Sequence, residues 1–128
     1  MFAIIGVQNS SDNRIISAKV IDSGILETTG KILNNSYNSL DLVQNLINGG
    51  TNEKIDVSSI VGIDNYMWGV LGFNYEQVKY NSPSDFLGSI HELYCHYAYL
   101  FSKADNKWYV VSIDDKEPKS LDEELAKL

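Results

Sequence analysis

Leu93-Tyr-Cys-His-Tyr-Ala-Tyr-Leu-Phe101, answered across Ser102-Lys-Ala-Asp-Asn106 by Lys107-Trp-Tyr-Val-Val-Ser-Ile113, is the densest block of β-forming residues in the 128-residue chain. Aromatic and β-branched side chains suit a pleated, half-buried surface, and Asp105 and Asn106 supply turn chemistry between the two runs. The block predicts a hairpin from Leu93 to Ile113 as the structural centre, with Trp108 buried against the facing strand.

Upstream, Phe2 to Gln8 and Arg14 to Ile21 are apolar-rich runs separated by Asn9-Ser-Ser-Asp-Asn13, the pattern of a first hairpin. Asp22-Ser-Gly24 breaks it. Ile25 to Leu33 resumes an alternation, with Ile25, Glu27 and Thr29 on one side and Leu26 and Thr28 on the other, and reads as a third strand. The period then changes. Leu40, Val43 and Ile47, joined by Leu42 and Leu46, define one amphipathic helix capped by Asn38 or Ser39 and stopped by Gly49-Gly50.

From Ile55 to Tyr80 two or three further strands are expected, with bulges or close approaches at Gly62, Gly69 and Gly72. Ser82-Pro83 with Asp85 opens a short helix through roughly Glu92. At the C-terminus Ser120 and Glu123 have capping-box spacing ahead of a terminal helix with Leu121, Leu125 and Leu128 on one face. No linker or repeat divides these pieces. The expected architecture is a single α+β domain over residues 1–128, a mostly antiparallel sheet of about six to eight strands with one main amphipathic helix and a short C-terminal helix.

Charge narrows the function classes. The formal net charge is −7 and Arg14 is the only arginine, which argues against direct nucleic-acid binding, since that needs clustered cations to displace counterions. A single cysteine, Cys95, excludes an internal disulfide. The start Met1-Phe-Ala-Ile-Ile-Gly-Val7 lacks the charged n-region of a signal peptide and no apolar run reaches membrane-spanning length, so the expectation is a cytoplasmic protein that does not engage a membrane.

His91-Glu-Leu-Tyr-Cys-His96 is the cluster richest in catalytic residue types. It misses the zincin spacing, because the residue four after His91 is Cys95. Asp114-Asp115 lacks the oxygen-rich loop of a calcium site. No catalytic residue, metal site or cofactor is therefore predicted. Asp114, Asp115, Glu117, Asp122, Glu123 and Glu124 form a C-terminal acidic cluster, and eight tyrosines with two tryptophans exceed what so small a domain buries. Exposed aromatics anchor interfaces and charges steer approach, so the candidate binding residues are Tyr66, Trp68, Tyr94, Asp114, Asp115, Glu123 and Glu124.

The layout of Phe2-Ala-Ile-Ile-Gly-Val7, a polar turn, Arg14 to Asp22, a helix near Leu40 to Asn48, then Ala98-Tyr-Leu-Phe101, Lys107-Trp-Tyr-Val110 and an acidic tail resembles small acidic domains of phages and mobile elements in low-GC Gram-positive bacteria. The resemblance spans about two thirds of the chain and carries over no functional residue. It implies a counter-defence setting, in which inhibitors such as anti-CRISPR proteins and sequesterers of signalling nucleotides occur. The reading is a non-catalytic binding protein that inhibits a basic macromolecular partner such as a nuclease. The alternatives are a sponge for a signalling nucleotide, with Lys79, Lys103 or Lys107 near phosphate, and an immunity protein neutralising a toxin. Homo-oligomerisation is compatible with each.

Overall fold

The computed structural model describes residues 3–8, 14–20, 25–49, 73–92, 95–114 and 117–128. Five full strands, β1 (Ala3–Gln8), β2 (Ile15–Val20), β3 (Phe73–Tyr80), β4 (Tyr97–Ser102) and β5 (Lys107–Ser112), and the two-residue β6 (Lys119–Ser120) form one sheet in the order β3-β2-β1-β4-β5-β6. Four helices accompany them among the described residues: α1 (Lys31–Ser36), α2 (Leu40–Gly49), α3 (Pro83–Glu92) and α4 (Leu121–Ala126). The α+β class stands. The strands expected between Ile55 and Leu71 lie outside the described residues.

Both hairpins form. β1 pairs antiparallel with β2 from Ala3↔Val20 to Gln8↔Ile15, and β4 pairs antiparallel with β5, Phe101 facing Trp108. Asn106 closes the second turn at a φ of 53°, a left-handed conformation that asparagine tolerates well. β4 begins at Tyr97, just after the His96 carbonyl, which accepts from the Ile113 N–H at 2.9 Å, and Leu93 and Tyr94 of the expected stretch lie outside the described residues.

The sheet is mixed rather than a pure meander. β1 pairs parallel with β4, from Ala3↔Tyr97 to Val7↔Phe101, and this pair joins the two hairpins at the centre. The other pairs are antiparallel, with a register shift between Ser17 and Lys19 where β2 meets β3. β1 is buried along Ala3 to Val7, as a strand covered on both faces must be.

The third strand expected over Ile25 to Leu33 is not a strand. A π-helical turn, Leu26–Gly30, runs directly into α1. The competing period was helical: Thr29, Gly30, Leu33 and Tyr37 are buried, which is one face of a helix, and that burial overrides the β preference of the two threonines. Gly30 faces Leu121 and Leu26, whose Cδ1 and Cδ2 would each lie 3.4 Å from a Cβ there, in van der Waals contact.

Each face of the sheet carries its own core. On the first, Ala3, Ile5, Val7, Tyr99, Phe101, Trp108 and Val110 pack with Leu33 and Tyr37, with Val43 and Leu46 of α2, and with Leu121 of α4. On the second, Ile4, Ile15, Ala98, Leu100 and Val111 pack with Phe86 and Ile90 of α3 and with Cys95. The caps divide. Ser39 Oγ accepts from the Leu42 N–H at 3.4 Å and Ser82 Oγ from the Asp85 N–H at 3.1 Å, settling the start of α2 and α3 as the sequence indicates. The capping box at α4 does not close. Ser120 is also the last residue of β6, paired with Tyr109 in an extended conformation, and it makes no side-chain cap bond. Leu128, expected on the buried face, is exposed.

Candidate functional site

The sequence-predicted site residues scatter. Tyr66, Trp68, Tyr94 and Asp115 lie outside the described residues. Asp114 is exposed just beyond the end of β5, and Glu123 is exposed on α4. Glu124 is half-buried, with Lys119 Nζ at 3.8 Å and Lys127 Nζ at 3.6 Å, so its carboxylate is committed to holding the helix end. The register also splits the acidic cluster. Because β6 runs antiparallel to β5, with Lys119 opposite Val110 and Ser120 opposite Tyr109, α4 starts toward the β4–β5 turn while Asp114 follows the other end of β5. Carboxylates thus occupy both ends of the β5–β6 edge: Asp114 and Glu117 at one, Asp105, Asp122 and Glu123 at the other, all exposed.

At the turn end of that edge the surface folds into a pocket of about 200 Å³. Three separated pieces of chain build it: Asn34 and Asn38 from α1 and the residues after it, Asn106, Lys107 and Trp108 from the β4–β5 hairpin, and Ser120 and Asp122 from the β6–α4 junction. Two cross-braces hold the pieces. Trp108 Nε1–H donates to the Tyr37 carbonyl at 2.7 Å, and Asn34 Nδ2 donates to Asp122 Oδ1 at 3.3 Å. Trp108 is itself seated by an edge-on contact with Phe101, ring centroids 5.2 Å apart. The asparagines went unread as site residues because each looks like a turn or helix-end residue by itself, whereas Trp108, Lys107, Ser120 and Asp122 each carried a separate sequence signal that did not place them together.

Across the β4–β5 turn the Tyr109 hydroxyl donates to Asp105 Oδ2. That bond, ahead of smaller contributions that include the charge of Lys107, holds the Asp105 carboxyl below the usual carboxylate range. The same bond raises Tyr109 above the ordinary phenol range. Deeper in, Tyr99 is raised further, first by burial and then by the nearby Tyr97 and Glu27.

The His/Cys cluster does not assemble. Cys95 is fully buried on the second face, its N–H bonded to the Ile90 carbonyl at 3.1 Å, while His96 is exposed and the side chain of His91 lies outside what is described. Among the described residues no group of three His, Cys, Asp or Glu could hold a metal ion, and no helix is long and apolar enough to cross a membrane. What the edge offers is recognition chemistry: spaced carboxylates and a polar pocket with an indole wall. No protein-family model, no curated protein and no solved structure matches this chain, so the site is read from its own geometry.

Proposed function

We propose that this chain works by binding rather than by catalysis, as an acidic protein that docks its β5–β6 edge onto a basic macromolecular partner such as a nuclease and inhibits it. The observation that carries the reading is the placement of exposed carboxylates, Asp105, Asp114, Glu117, Asp122 and Glu123, along one edge of the sheet in a chain of net charge −7. Basic clefts attract such a surface, and complementary charge accelerates encounter and excludes wrong partners. The edge is also blunted for the purpose. β6 is two residues long, a common device against strand-to-strand aggregation, so side chains rather than an open ladder meet the partner.

The proposed setting is cytoplasmic, and the layout resemblance to phage and mobile-element domains supports an inhibitor of bacterial defence, anti-CRISPR proteins being one such kind. An immunity protein for a toxin would use the same physics. The nucleotide-sponge alternative is less favoured at this pocket: Asp122 shares the lining with Lys107, and Trp108 is buried with its N–H spent on Tyr37. The test is affinity capture from cells with the parent and with Asp114→Asn/Glu117→Gln/Glu123→Gln. The parent should retain a basic protein whose activity it inhibits, and the variant should retain much less. Equal recovery by both proteins would remove the edge from the mechanism.

A further inference from the structure

The pocket at the turn end of the edge is too small for a cofactor and suited to one side chain. Its volume of about 200 Å³ lies below the roughly 300–1,000 Å³ of sites for drug-sized ligands. We infer that it receives the guanidinium group of an arginine side chain from the basic partner, an occupant that rests on the binding function proposed above.

The lining presents acceptors spread over three chain segments. Asp122 accepts from Asn34 on Oδ1 and has a second carboxylate oxygen, Asn38 and Asn106 are carboxamides able to accept, and the Ser120 hydroxyl makes no cap bond. Guanidinium is planar, offers five N–H donors and accepts nothing, so one group can satisfy several such acceptors at once. An ammonium is a compact, more strongly hydrated charge with three donors, and it matches a spread set less well. A phosphate would meet the Asp122 carboxylate.

Charge also favours a cation. Lys107 is the cation in the lining, and Asp105, Asp122 and Glu123 are exposed at the same end of the edge, three carboxylates against one ammonium. Asp122 is the carboxylate of the lining, with Glu123 exposed beside it in the first turn of α4. The positive end of the six-residue α4 is outweighed by the three acids of its first turn, Asp122, Glu123 and Glu124.

The test needs no partner. Isotope-labelled protein is titrated with N-acetyl-arginine amide and, in parallel, with N-acetyl-citrulline amide, its uncharged isostere, while NMR follows the Asn38 and Asn106 side-chain amides and the Trp108 indole N–H. Arginine should move these signals at millimolar concentration and citrulline should bind about tenfold more weakly, as the loss of charge-assisted bonds implies. Asp122→Asn should reduce the arginine response to the citrulline level, and Asp41→Asn, an exposed position on α2, should leave it intact. Equal responses to the two compounds, or no response to either, would overturn the assignment without any variant being made. Because arginine occupancy is read on the isolated protein, its failure leaves the capture experiment standing, and failure of capture leaves the titration interpretable.

Discussion

The two faces of the sheet are filled in opposite ways. The first is packed by bulk: Tyr37, Tyr99, Phe101 and Trp108 are buried together under α1, α2 and α4, and an indole hydrogen bond ties the strand layer to the helix layer. The second is packed by an omission. Gly6 of β1 lets α3 settle so close that a Cβ at this position would lie 2.7 Å from the Phe86 ring and 2.8 Å from Ile15 Cγ2. Large side chains make one layer rich in buried aromatic area, whereas on the other a missing side chain lets one helix close onto one strand. The pocket borders the first face, since Trp108, which walls it, is also part of that core.

The largest effect should come from the first face. Trp108→Ala removes a buried aromatic and its bond to Tyr37, and should cost about 3–5 kcal/mol in denaturant unfolding. A variant as stable as the parent would show that the face does not depend on this residue. On the second face Gly6→Ala should cost about 1–3 kcal/mol by overpacking, and Phe86→Leu combined with it should recover part of the loss. Strict additivity of the two changes would break the account of α3 docking. The outer side of the same helix predicts the reverse sign. Gly88 is exposed with nothing within 4 Å of a Cβ, so Gly88→Ala should stabilise by about 0.5–1 kcal/mol through helix propensity. A loss of stability there would mean that α3 is not an ordinary helix at that point.

The smallest effect concerns the bond between Tyr109 and Asp105, both at the solvent surface. Asp105 titrates lower in the folded chain than the ordinary unfolded value of about 3.9, so its contribution is present above that value and is lost as pH falls through the lower folded one. Tyr109 titrates higher than the ordinary value of about 10, so its contribution is present below that value and disappears as pH rises through the folded one. The difference in stability between the parent and Asp105→Asn should therefore be flat from about pH 5 to pH 9 and shrink at the acid end. A difference that grows on acidification would contradict the bond.

Much of this fold is legible in the sequence because its signals are local. The two hairpins, α2 behind Ser39 and α3 behind Ser82 each announce themselves within a few residues. What was hidden is long-range. The parallel pairing of β1 with β4 brings together residues more than ninety positions apart, and its one cue was the unbroken apolar run from Ala3 to Ile5, which suits a strand covered on both faces better than an exposed hairpin arm. Ile25 to Leu33 misled because two periods coexist there, and packing against Leu121 chose the helical one. The pocket was illegible for the same reason as the parallel pair: Asn34 and Asp122, which brace it, are 88 residues apart. The acidic cluster was visible as composition, but only the register of β6 shows that it divides between the two ends of an edge.

The central claim, that this edge steers the protein onto a basic partner, is tested most directly by the salt dependence of association measured by surface plasmon resonance against the captured partner. Neutralising Asp114, Glu117 and Glu123 together should slow association several-fold at low salt and leave dissociation nearly unchanged, with the difference shrinking as the Debye length falls to about 8 Å at 0.15 M ionic strength. Association rates that match the parent's at every salt concentration would contradict it.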